Sequence, residues 1–125
     1  APFIQYAHAR ACGILRKGGW SMDRVSEEQI ALYCKALNDE RERAVIRALS
    51  RFPTIVRASA SNLRPDTVAE YAYDLAAVLN KFYQSLPVLR GEPGAREARL
   101  ALVSTTRQVL SNALDLLGIT APEEM

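Results

Sequence analysis

The sequence has little of what disulfide frameworks, metal sites and acid–base catalysis require. Its 125 residues include two cysteines and one histidine. Two cysteines are too few to staple a small secreted scaffold, so a reducing, cytoplasmic setting is expected. Cys12 and Cys34 fall on different predicted helices among apolar neighbours, and we interpret both as buried, inert thiols.

Long apolar runs are also absent. No segment approaches the ~20 apolar residues that cross a bilayer, and the first residues lack the charged-then-apolar order of a secretory signal. Hydrophobic residues nevertheless make up 49% of the chain. That content suits one soluble domain over residues 1–125 with a continuous core. We expect no membrane partner, and a monomer.

Lysine is scarce as well. Of the sixteen basic residues thirteen are arginine, and fourteen acidic residues leave a net charge of +2. That charge is too small for non-specific nucleic-acid binding. Arginine pairs with phosphate and stacks on bases, which favours selective RNA contact. Composition alone favours the simpler interpretation, in which arginine is only the preferred cation of this genome.

Helical periodicity dominates the pattern, and strand-like alternation is absent. Two capping boxes, Ser26 with Gln29 and Asp39 with Glu42, each predict the start of a helix. The predicted helices are Pro2 to Gly18, Glu27 to about Ala36, Asp39 through Phe52, a short one from Pro53 carrying Ile55 and Ala60, Val68 through Leu86, and about Arg96 to Leu117. The segment Gly91 to Gly94 is predicted as a loop, and Gly118 as a left-handed stop. The fold class is an all-α bundle of five or six helices.

A catalytic function has little support. His8, the sole histidine, lies mid-helix between two alanines, with no nucleophile obviously placed beside it. We interpret it as a packed or hydrogen-bonding residue. There is no glycine-rich phosphate loop, no paired-carboxylate motif and no metal-ligand spacing. We predict no catalytic residue, no metal site and no cofactor in this chain.

The first helix carries the most informative surface pattern. Phe3, Tyr6, Arg10, Gly13 and Lys17 recur at spacings of three and four residues, so they share one face of the helix. Aromatic rings beside cations are what unpaired bases and their phosphates require. The pattern also fits Phe3 and Tyr6 as core residues with Arg10 in solvent, and it does not decide between these alternatives.

Two other residues are unusual on structural grounds. Tyr83 follows Phe82, and adjacent rings on a helix point about 100° apart, so both cannot occupy the centre of one apolar stripe. Met125 ends the sequence after two glutamates, where a side chain ordinarily frays. Its thioether would matter only if the tail folds over a pocket.

Three segments resemble one family. Residues 3–10, F-I-Q-Y-A-H-A-R, are similar to a segment at the junction of the catalytic and C-terminal domains of arginyl-tRNA synthetases. Residues 98–103, A-R-L-A-L-V, with R-Q-V-L at 107–110, resemble a helix of the same family. The ending L-L-G-I with P-E-E-M resembles its terminus, so the likeness covers essentially the whole chain.

The resemblance implies a DALR-type anticodon-binding domain, an all-α bundle that follows a class I catalytic domain. In that family the central cytosine of the anticodon enters a pocket. By position, Tyr6, Tyr83 and Met125 would line the pocket, and Phe3 would stack on the loop. Two further positions, Arg10 and Arg16, match helix residues that contact RNA backbone or bases.

The implied partners are the anticodon stem-loop of the arginine tRNA and the catalytic domain of the same polypeptide. Signatures of that catalytic domain are absent from this sequence. We therefore expect a fragment that is inactive alone, whose parent charges tRNA using ATP and magnesium. Glu124 departs from the family, which usually has arginine there. The alternative is a helical protein-interaction domain that has lost tRNA binding.

Overall fold

The computed structural model describes residues 2–21, 25–62 and 64–125, and in these ranges it contains helices and no strands. The six helices are α1 (Pro2–Gly18), α2 (Glu27–Ala36), α3 (Glu40–Ser50), α4 (Phe52–Asn62), α5 (Pro65–Ser85) and α6 (Pro93–Leu116). The predicted all-α bundle is confirmed.

Both predicted capping boxes start a helix. The backbone N–H of Gln29 donates to the Ser26 hydroxyl at 3.2 Å, and the Ser26 N–H donates to the Gln29 side chain at 2.9 Å. The pairing of Asp39 with Glu42 repeats this arrangement at α3. Each box satisfies backbone donors that the first helical turn leaves without an intrahelical partner.

Glycine ends α1 and α6 in the same way. Gly19 and Gly118 have φ values of 62° and 71°, a left-handed conformation that glycine adopts without a Cβ penalty. After α6, the Ile119 N–H donates to the Leu114 carbonyl and the Gly118 N–H to the Asp115 carbonyl. This pair of bonds is the Schellman motif, and it turns the following chain back towards the bundle.

Three predicted boundaries are wrong. Helix α5 begins at Pro65, three residues before Val68, because proline suits the first helical position. The third helix ends at Ser50 rather than Phe52, because Pro53 has no N–H to donate and fits only the first turn of a helix, so Phe52 begins α4. The sixth helix begins at Pro93, within the predicted loop. Proline has a φ already suited to the first helical position, so it starts α6 three residues before Arg96.

The long helix α5 lies at the centre of the bundle. It contacts α1, α3, α4 and α6, while α1 packs mainly on α6. Its inward stripe is almost inaccessible to solvent and comprises Val68, Tyr71, Ala72, Leu75, Ala76, Leu79 and Phe82. The three- and four-residue spacing of these side chains is the period predicted from sequence.

One ion pair lies within this apolar interior. The Arg99 Nε on α6 donates to the Glu42 carboxylate on α3 at 2.9 Å, and the side chains are 15% and 3% exposed. Arg99 also donates to the Pro87 carbonyl at 2.9 Å. The pair thus ties α3, α6 and the loop after α5 together.

Candidate nucleic-acid interface

Helix α1 has one face in the core and one in solvent. Ile4, Ala7 and Ala11 are buried, whereas Phe3 is 37% and Tyr6 58% exposed. The alternative that both rings belong to the core is therefore wrong. The mixed aromatic and basic face predicted from sequence is on the surface of the molecule.

The chain beyond α6 folds back along α1. The Gln5 amide donates to the Thr120 carbonyl at 2.9 Å, and Nδ1 of the buried His8 lies 2.7 Å from the Pro122 carbonyl. A carbonyl oxygen only accepts, so Nδ1 carries the proton in this contact. The interpretation of His8 as a packed, hydrogen-bonding residue is confirmed. The expectation that no nucleophile lies beside it is wrong, because the Cys12 Sγ lies 3.8 Å from Nδ1, one helical turn away.

This arrangement forms an open pocket between α1 and the end of the chain. It is lined by Tyr6, Ala9, Arg10 and Arg16 from α1 and by residues 123–125. The Arg16 guanidinium lies 3.6 Å from the Glu124 carboxylate, with both side chains largely exposed. The pocket therefore contains one exposed ring, a thioether and two guanidinium groups, one of which already faces an acid.

Tyr83 lies on the other side of Arg10. The Arg10 guanidinium covers the Tyr83 ring, with its central carbon 4.6 Å from the ring centre. Tyr83 borders a separate cleft with Ile14 and the loop at 86–90. Of the six predicted site residues, Tyr6, Arg10, Arg16 and Met125 share one pocket; Tyr83 reaches it only through Arg10, and Phe3 lies one turn away.

The hydroxyl of Tyr83 is unusual. It is buried, and within the residues that the structure describes it has no hydrogen-bond partner. Burial raises the pKa of the Tyr83 phenol, and the nearby Arg10 opposes part of that rise. The phenol is therefore a neutral O–H whose capacity to donate a hydrogen bond is unused, and an unpaired buried donor is unfavourable.

One surface aromatic residue is not among the residues predicted from sequence. Tyr73 on α5 is 53% exposed, and its ring centre lies 4.6 Å from that of Phe3. Its neighbours along α5 gave no signal, because the contact joins two helices separated by about fifty residues in the chain. The sequence shows only that Tyr73 lies outside the apolar stripe of α5, which does not by itself pair it with Phe3.

The two cysteines differ from each other. Cys12 is buried on α1, and burial is the main cause of the raised pKa of its thiol. Cys34 is exposed, so the prediction of a second buried thiol is wrong. Helix α2 has no buried residue, which explains the error: its apolar neighbours do not place Cys34 in the core.

Comparison with known proteins decides the family. The profile of the DALR anticodon binding domain matches residues 4–125. The chain belongs to the DALR anticodon-binding domain family. Relatives of this DALR domain include the arginine–tRNA ligases of Pyrococcus furiosus, 49% identical, and Haloarcula marismortui, 46% identical, each over all of this chain.

The fold agrees with a solved structure of the same kind. Arginyl-tRNA synthetase from Thermus thermophilus superposes on the DALR domain with a TM-score of 0.79 and 37% identity over 99% of this chain. The chain spans only about a fifth of the length of these relatives, 20% and 21% of the two ligases and 21% of the Thermus chain. Within the described residues, no helix is long and apolar enough to cross a membrane.

Proposed function

We propose that this chain binds the anticodon loop of the arginine tRNA and accepts its central cytosine in the pocket between α1 and residues 123–125. The observation that carries the proposal is the convergence of Tyr6, Arg10, Arg16 and Met125 on one open pocket of a domain whose family binds anticodons. These side chains come from opposite ends of the sequence, and the core does not need them there.

The chemistry of the pocket suits an unpaired base. The exposed ring of Tyr6 offers a stacking surface, and the thioether of Met125 can pack on the edge or face of a flat group. Arg10 and Arg16 supply cations for the flanking phosphates or for the base itself. Movement of Arg10 off Tyr83 would expose the face of a second ring, on which a base could stack.

Glu124 lowers the attraction of this surface for phosphate. Its carboxylate lies beside Arg16, so RNA must compete with an acid already present. The pair is exposed and therefore weak, on the order of 1 kcal/mol or less. Glu124 thus reduces affinity without closing the pocket.

In this proposal the chain is one domain of a longer protein, which carries out the complete reaction of attaching arginine to its tRNA. We assign to this chain the recognition of tRNA, and to a catalytic domain in the same polypeptide the attachment of arginine with ATP and Mg²⁺. The setting would be the cytoplasm, where translation takes place.

The test is binding of the chain to the anticodon stem-loop of the arginine tRNA, against a copy with the central cytosine changed to uracil. Both are measured at two salt concentrations, because phosphate contacts alone give steep salt dependence without base preference. We expect at least about fivefold preference for cytosine, equivalent to about 1 kcal/mol. This preference must come from hydrogen bonds to the edge of the base, because stacking alone hardly distinguishes the two pyrimidines.

Variants locate the site. Tyr6→Ala should weaken binding roughly tenfold and Tyr6→Phe much less, because the ring is retained. Deletion of Met125 should reduce the preference for cytosine. Leu32→Ala, an exposed apolar residue on α2 outside the pocket, is the matched control. Equal binding of both loops would refute the proposal. No binding at low salt would also refute it, and would favour a protein-interaction domain instead.

A further inference from the structure

Phe3 and Tyr73 form an exposed aromatic pair where α1 and α5 meet. Their ring centres are 4.6 Å apart and their planes are inclined by 34°. Each ring covers only part of the other, so both retain substantial solvent-facing area. The inward stripe of α5 is already complete without Tyr73, which leaves this ring without a role in the core.

The pair belongs to a longer row of side chains. Phe3 contacts Tyr73 and, seven residues later, Arg10 contacts Tyr83, so α1 and α5 run in the same direction along this seam. Seven residues of helix rise about 10 Å. Tyr6 lies between these two contacts on α1. Successive stacked bases are about 3.4 Å apart, so the row spans roughly three nucleotides.

We propose that the Phe3–Tyr73 pair is a second base-stacking subsite, and that Tyr73 is a binding residue for a further unpaired base of the same anticodon loop. The proposal rests on the function proposed above. It assigns to α5 an RNA contact next to the pocket, reached by the nucleotides that flank the base held at Tyr6 and Arg10.

The charges around Tyr73 favour a base over the phosphate backbone at this subsite. The exposed acids Glu70 and Asp74 flank Tyr73 on α5, and they repel phosphate. The cations Arg10 and Arg16 lie at the opposite end of the row. The loop is therefore oriented with its backbone over the cations and a base over the rings. Every base has a π-face, so stacking here adds affinity with little sequence preference.

The test compares Tyr73→Phe with Tyr73→Leu in the full 125-residue chain. Both side chains cover Phe3, but only phenylalanine supplies a flat ring. We expect Tyr73→Phe to bind the stem-loop as the unchanged chain does and Tyr73→Leu to bind about five- to tenfold more weakly, at the low end of the effect of base–aromatic stacking. The loss should be equal for the cytosine and uracil loops, with an unchanged salt slope.

A fluorescent base reports the contact directly. With 2-aminopurine placed in turn at each unpaired loop position other than the central one, we expect one position to be quenched on binding by the unchanged chain and Tyr73→Phe, and not by Tyr73→Leu. Circular dichroism of each variant checks that the helices are intact.

The outcomes separate the two proposals. If the unchanged chain prefers the cytosine loop but both Tyr73 variants bind within twofold of it, the subsite is refuted and the anticodon function stands. If Tyr73→Leu loses the cytosine preference itself, the ring belongs to the main pocket and the second subsite is also refuted. If the unchanged chain binds no loop, both proposals fail together.

Discussion

Removal of the Glu42 carboxylate should destabilise the whole bundle. Glu42 accepts hydrogen bonds from Arg99 at 2.9 Å and from the Asp39 N–H at 3.1 Å, and it is 2% exposed. In Glu42→Ala the Arg99 guanidinium keeps the Pro87 carbonyl but loses its counter-charge in a nearly dry site. Breaking one partner of a buried pair costs about 3–5 kcal/mol.

The loss of the capping box adds to that cost. In Glu42→Ala the Asp39 carboxylate still accepts from the Arg41 N–H. The variant loses only the hydrogen bond from the Asp39 N–H to Glu42, worth roughly 0.5–1 kcal/mol. The Arg99 side chain is still 15% exposed, so the lower end of the roughly 3–5 kcal/mol for breaking a buried pair applies. With the capping loss added, we expect a total of about 3–4 kcal/mol. Total stability of a domain is only about 5–15 kcal/mol, so the effect is large.

Urea unfolding followed by far-UV circular dichroism measures this change. The exposed pair Arg47–Glu40 is the control, since Arg47→Ala should cost well under about 1 kcal/mol. In the double variant Glu42→Ala with Arg99→Met, no charge is left unpaired, so the cost should fall at least about 2 kcal/mol short of the sum of the single changes. A Glu42→Ala cost below about 1 kcal/mol, or strictly additive changes, would refute the argument.

Three further predictions concern single side chains. The exposed Cys34 thiol should react quickly with a disulfide reagent in the native chain, and the buried Cys12 thiol only on unfolding. Cys34→Ser should remove the fast phase, and a fast phase that survives this change would contradict the structure. Burial raises the pKa of Tyr71 to about 12, above the value near 10 of an unfolded chain, so the folded state holds the proton longer. The contribution of Tyr71 to the free energy of unfolding should be complete below about pH 10 and should fall by roughly 1–3 kcal/mol as the pH rises to about 12. When urea unfolding midpoints are measured over this pH range, Tyr71→Phe should lack this part of the decline. Glu124→Gln should release Arg16 and strengthen stem-loop binding roughly two- to fivefold at low salt, as measured by titration; the same gain in an Arg16→Ala background would show that the pairing is not the cause.

The local features of the fold are predictable from sequence. The capping boxes at Ser26 and Asp39 and the left-handed glycine at 118 are short-range hydrogen-bonding patterns, so a few neighbouring residues determine them. The outward face of α1 follows from helical spacing for the same reason. The three boundaries that differ, at Phe52, Pro65 and Pro93, all depend on how a proline is placed in the first turn of a helix.

The assembled site is less predictable, because it depends on contacts between distant segments. His8 holds the tail through the backbone carbonyl of Pro122, and a carbonyl acceptor leaves no trace in the identity of a residue. The position of Arg10 between Tyr6 and Tyr83 depends on the packing of α1 on α5. Family resemblance supplied Tyr83 and Met125, whereas Tyr73 needed the structure, since nothing local pairs it with Phe3.

The return of the tail onto α1 also bears on folding. Gln5 bonds to Thr120 and His8 to Pro122, contacts that span 115 and 114 residues of chain. Contacts of such high sequence separation carry a large loop-closure entropy and tend to form late. The pocket should therefore be one of the last features to form, after α1 and α6 have docked. An RNA that binds there would recognise only completely folded molecules, and its binding energy would oppose unfolding of the bundle as a whole.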